Sequence, residues 1–222
     1  MLWFRVPKMI LTNQQQILDF WAQVELTIDQ LLHSREENKF DADALLTEYR
    51  DTLQKIDRNL TFHFERDEDE GPIEMIFGCD GYPESIHAVL SLVGAAPALT
   101  GIRFKAFNHR YDPIPNFINV ADEVCELRDY WYSLTSIDNK LHLAIYMKEP
   151  PAMLDMDPRV EAVMIFLDAL IGEYELMTRV WALDWLDLPV DPIDYGLKPL
   201  AELRDAFDRL KSGIPAIGIT IH

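Results

Sequence analysis

The sequence predicts an α+β protein. It reads as an N-terminal helical hairpin, two strand-strand-helix-strand (ββαβ) units forming an antiparallel or mixed sheet with helices on one face, and a C-terminal helix. Two observations carry this. The apolar period is near 3.6 residues at the start of the chain and switches to 2 at about Leu60. The order hairpin, helix, strand then occurs twice, over 59–108 and 129–186. The expected division is a helical hairpin at 1–58 and an α+β domain at 59–222, with the last helix at 197–212.

Thr12 and Gln15 have the spacing of a capping box, in which a hydroxyl and an amide satisfy the first free N–H groups of a helix. Ile17, Trp21, Val24, Ile28 and Leu31 then repeat at helical spacing. After a polar break at Ser34 to Asn38, Asp41 caps a second helix striped by Leu45, Tyr49, Leu53, Ile56 and Leu60. A short loop between amphipathic helices packs them antiparallel. Their stripes need cover from the rest of the chain or from a second copy, which would make a homodimer.

Leu60, Phe62 and Phe64 alternate with Thr61, His63 and Glu65, and Ile73, Met75 and Phe77 alternate back. Pro83 suits a first helical position, followed by the stripe Ile86, Val89, Leu90, Val93 and a stop at Pro97. Ile102, Phe104 and Ala106 complete the first unit. The stretch Asn108 to Phe117 holds two prolines and reads as an exposed connection, with a short helical turn near Ala121 to Glu126.

In the second unit Tyr130 to Ile137 is a strand, Asp138-Asn139 a tight turn, and Leu141, Leu143, Ile145 and Met147 alternate on the return. Asp157-Pro158 opens a helix that Gly172 closes, and a long strand is expected from Tyr174 to about Trp185. The tail from Ile214 to His222 alternates as an edge strand would.

The 222 residues carry 38 Asp+Glu against 20 Lys+Arg, a net charge of −18, with 49% hydrophobic residues. The apolar fraction supports a packed core. The charge disfavours nucleic acid and anionic membranes and favours a basic protein partner. The two cysteines, Cys79 and Cys125, show no metal or redox spacing. Met1 to Met9 has no secretory h-region and Ala88 to Gly101 is too short to span a bilayer, so a cytoplasmic location is expected.

No nucleophile elbow, phosphate loop or zinc motif occurs. Asp67, Glu68, Asp69 and Glu70 make an acidic hairpin tip, consecutive rather than alternating, which does not suit calcium. Trp181 and Trp185, four apart on one expected strand, share a face there; Asp184, Asp187, Asp191 and Asp194 accompany them with no base between. Aromatic anchors rimmed by acids suit a basic amphipathic segment.

The run Phe77 to Phe107 has an Asp80-Gly81 start, an Ala95-Ala96-Pro97 helix end and the strand Phe104-Lys105-Ala106-Phe107. Together with Phe166 to Glu175, whose helix ends Leu170-Ile171-Gly172-Glu173, it resembles segments of bacterial proteins classed as domains of unknown function. That resemblance implies structural punctuation and no activity, and it carries no catalytic residue.

The expectation is therefore a non-enzymatic adaptor, regulator or immunity-type protein engaging a basic partner through Asp67 to Glu70 and through Trp181, Asp184, Trp185 and Asp187. No cofactor, metal or catalytic residue is expected. The alternative is a small-molecule-binding protein or hydrolase-type enzyme with a groove at the sheet face, where His63 and His142 would meet Glu65 or Glu74.

Overall fold

A computed structural model describes residues 8–33, 41–66, 71–154 and 157–214. The fold is α+β, and the chain divides into two compact units, Met1–Phe107 and Asn108–His222. The division falls at 107/108 instead of 58/59, because the helical pair packs onto the first sheet. The acidic tip 67–70, the break 34–38 and the tail beyond 214 lie outside the described residues.

In the first unit, α1 (Lys8–His33) and α2 (Ala42–Ile56) precede β1 (Thr61–Glu65) and β2 (Ile73–Gly78); a 3-10 turn over Pro83–Ser85 leads into α3 (Ile86–Gly94), and β3 (Ile102–Ala106) follows. Asp41 accepts from the Ala44 N–H at 3.0 Å and starts α2, as its sequence suggests. α1 begins at Lys8, so Thr12 stands inside the helix; Gln15 bonds Asp19 at 2.8 Å along the same helix, not a cap. Gln23 meets Thr52 at 3.1 Å and Thr27 meets Tyr49 at 2.7 Å, the reversed order of an antiparallel pair.

The sheet runs β1-β2-β3, antiparallel then parallel. Period-2 alternation puts Phe62, Phe77 and Phe104 on one face, where α1 and α2 bring Phe20, Trp21 and Tyr49. Trp21 lies edge-on to Phe104 at 4.6 Å and to Phe77 at 5.6 Å, the geometry aromatic quadrupoles favour. Its indole N–H donates to the Leu92 carbonyl at 2.8 Å, binding α1 to α3. Ile17, Trp21, Val24 and Ile28 are all buried, so the stripe that could have paired two copies is covered within its own chain.

The second unit opens with a hairpin, β4 (Phe117–Val120) and β5 (Glu123–Glu126), where a helical turn was expected. Ala121, at φ 51°, makes the tight reversal that favours strand pairing. β6 (Trp131–Ile137) and β7 (Lys140–Met147) follow, joined by Asp138 and Asn139 at φ 50° and 60°, a primed turn matched to strand twist. Next come α4 (Pro158–Ile171), α5 (Glu173–Arg179), β8 (Val180–Asp187), β9 (Lys198–Pro199) and α6 (Leu203–Lys211). The sheet order is β8-β7-β6-β9, antiparallel between β6 and β7, parallel between β7 and β8. The ββαβ arrangement thus occurs twice, but as two separate sheets and not one.

The expected strand from Tyr174 begins only at Val180. Residues 173–179 form α5 because Glu173 and Glu175 sit in its positive first turn, and Arg179 closes the last turn with an ion pair to Glu175. Tyr130, Tyr132, Leu141, Leu143, Ile145 and Met147 all point into the core beneath Phe166, Leu167 and Phe207.

The end of α4 is closed by groups from elsewhere in the unit. Gly172, at φ 86°, donates to the Asp168 carbonyl at 2.8 Å. Tyr111 N–H and Arg204 Nη2 both reach the Ala169 carbonyl, Arg204 Nε takes Leu170 and Arg110 Nε takes Ile171. The stretch 108–111 is therefore a hydrogen-bonded strap, not a free connection. Arg110 also grips Asp208 with two bonds of 2.8 Å.

Phe77→Ala should cost about 3–5 kcal/mol, the range for emptying a buried aromatic site, measured by urea denaturation. The hydrogen bond from Arg110 holds the Asp208 carboxyl down at about 2, against 3.8 for an ordinary aspartate. The folded pKa is the lower one, so the stabilisation is complete above pH 3.8 and disappears as pH falls toward 2. The pair is partly solvated, which limits it to about 1 kcal/mol. Asp208→Asn should remove that acid-side slope from stability measured against pH.

Candidate functional site

Among the described residues β8 is an edge strand, and its register decides which side chains leave the core. Leu141 pairs with Val180 but His142 with Ala182, so Trp181 is the extra residue of a β-bulge. Beyond it Leu183 and Trp185 lie opposite Leu143 and Ile145 and pack on the core. Trp181 and Trp185 therefore do not share a face, contrary to strict alternation. Trp181 is 54% exposed and lies under the Lys140 ammonium, 3.4 Å from its ring centroid. Asp184 is exposed on the outer face beside Leu186, and the exposed Asp187 accepts the Glu149 N–H at 3.2 Å.

The chain then turns through Pro192–Tyr195. Asp194 N–H bonds Asp191, Gly196 N–H bonds Ile193 and Leu197 N–H bonds Pro192, at 2.9 to 3.1 Å. Gly196 adopts φ 73°, the left-handed conformation that lets this turn end, and Leu197 returns to the core. The closed turn holds Val190, Ile193 and Tyr195 outward, 95%, 75% and 73% exposed. Asp191 and Asp194 stand exposed between them. From Val180 to Leu197 there is no Lys or Arg. Sequence reasoning identified the acids but not these three apolar residues, whose signal was an Asp-apolar alternation between prolines.

The histidines proposed for a shared site do not meet in one sheet. His63 is exposed on β1 and contacts Glu65 at 3.2 Å, whereas His142 lies on β7 of the other unit. Glu74 is buried and paired with Lys105. Among the described residues no group of three His, Cys, Asp or Glu side chains could hold a metal ion.

Each unit has a cavity. One of about 610 Å³ lies beside α1 and α3, lined by Ile17, Leu18, Ile56, Asp57, His87 and Ala88. Of its two acids, Asp57 and Glu84, Asp57 is committed to Asn59 N–H at 2.9 Å and the Ser85 hydroxyl at 3.0 Å. The other, about 380 Å³, is lined by Cys125, Arg128, Tyr130, Lys148 and Arg159 among others. Burial pushes the Tyr130 phenol up, and Cys125 beside it adds to this, so it stays protonated. Arg159 is occupied by Asp157 and by the Lys148 and Glu149 carbonyls, which makes it a loop clasp. Cys79 is buried, its thiol on the Tyr82 carbonyl.

Among the described residues no helix is long and apolar enough to cross a membrane. Comparison with known protein families, with curated proteins and with solved structures gave no match.

The burial difference sets distinct outcomes for the two tryptophans. Trp181→Ala should change unfolding free energy by less than about 1 kcal/mol. Trp185→Ala should cost about 2–4 kcal/mol, because its ring packs on the core. Equal losses in chemical denaturation would contradict the bulge.

Proposed function

We propose that this chain is a non-enzymatic binding protein of the cytoplasm whose second unit takes a basic, partly apolar segment of another protein. The observation that carries this is the 181–195 surface. Trp181, Leu186, Val190, Ile193 and Tyr195 are all exposed there, interleaved with the exposed Asp184, Asp187, Asp191 and Asp194. Single exposed apolar residues are ordinary; five within one short segment, held out by a hydrogen-bonded turn, mark an interaction surface. The absence of any base in the segment selects a cationic partner and disfavours an anionic one. A net charge of −18 steers such a partner from a distance. Two free, buried cysteines suit a reducing compartment.

The test uses the full chain and a fluorescent octapeptide of alternating lysine and valine, followed by anisotropy. Binding is expected at about 0.02 M salt and should weaken strongly at about 0.5 M. D184N/D187N/D191N/D194N should weaken it by about tenfold or more, equivalent to 1.4 kcal/mol. Neutralising the same number of exposed acids in the first unit (E25Q/D43N/D51N/D80N) should change it far less. Equal effects of the two sets, or no binding at low salt, would overturn the assignment.

A further inference from the structure

Resting on that reading, we propose how the partner binds: as an extended strand added to the outer edge of β8. Among the described residues no strand pairs with that edge, since β8 ends the order β8-β7-β6-β9. Hydrogen-bond directions alternate along a strand, and here one bond fixes the phase. Leu188 N–H donates to the Met147 carbonyl of β7 at 3.0 Å. The backbone groups of Asp184 and Leu186 therefore also turn toward β7, and those of Leu183, Trp185 and Asp187 turn outward. Three successive outward residues present a ladder of donors and acceptors about 13–17 Å long. An extended chain satisfies such a ladder, whereas a helix has spent its own backbone groups internally.

Side chains then choose the occupant. On the outer face an added strand would lie beside Asp184 and Leu186, so a face of lysines fits both, one ammonium meeting Asp184 while a neighbouring methylene stem lies along Leu186. A second copy of this chain fits poorly, because pairing two β8 edges would bring Asp184 and Asp187 of one against those of the other. The bulge at Trp181 ends the regular edge and sets where the added strand must stop.

The lysine–valine octapeptide is the probe, compared with two versions N-methylated at either the lysine or the valine positions. Methylation removes the donors along one edge of the peptide and leaves the other edge intact. One version should lose about tenfold or more in affinity while the other binds nearly as the parent does. Amide exchange read by NMR gives a second measurement: saturating peptide should slow the Leu183, Trp185 and Asp187 amides by about tenfold or more. If the peptide binds with the expected dependence on the four aspartates, yet both methylated versions bind equally and those amides are unchanged, strand addition is overturned and the basic-partner reading stands. If no peptide binds at low salt, both fall.

Discussion

The last turn of α4 is the constraint on which the second unit depends. A helix end leaves carbonyls without partners, and burying them unsatisfied is costly. Here α4 is the core helix, with Val163, Phe166, Leu167, Leu170 and Ile171 buried. Its end is therefore inside the unit, away from water. The solution recruits the Gly172 amide, the Tyr111 amide and the side chains of Arg110 and Arg204. Those contacts fix the strap 108–111 and α6 on the same spot. Gly172 also lets the chain leave α4 into α5, which delivers it to the start of β8. The start of β8 thus follows from how one set of carbonyls is satisfied.

Charge and apolar exposure work together on that edge. An open strand edge is a hazard for self-association, and proteins commonly protect it with charge. Asp184 and Asp187 place exposed negative charge on β8 here. In the proposed reading the residues that discourage a second copy would also select a cationic guest, which is specificity by repulsion as much as by attraction. The neighbouring turn holds exposed apolar area in place by its own hydrogen bonds, so the proposed binding would require little ordering of it.

Local signals were readable in the sequence and long-range ones were not. The alternation from Leu141 to Met147 and the caps at Asp41 and Asp157 each depend on neighbours in the chain, and the structure has them as read. The helix at 173–179 was misread as strand although its charges follow the helix dipole, because its aromatic and apolar residues also suit a strand. The bulge at Trp181 inverts the face of everything before it relative to everything after, and no residue type announces it. Arg110 and Arg204 act on carbonyls 61 and 34 positions away, a relation that only folding creates. Of the candidate surface, the acids were legible as composition; the exposure of Val190, Ile193 and Tyr195 depends on a turn that closes on itself.

The two arginines that finish α4 come from opposite sides of it in the chain, one before the helix and one well after it. A ribosome delivering this polypeptide would release Arg110 early and Arg204 only after β8 and its turn had emerged. The aromatic nest around Trp21 and Phe77, by contrast, needs nothing beyond residue 107. Birth order therefore separates the two halves: the first can consolidate while the second is still being made. The 181–195 surface matures last, once α6 has locked its arginine onto the waiting carbonyls.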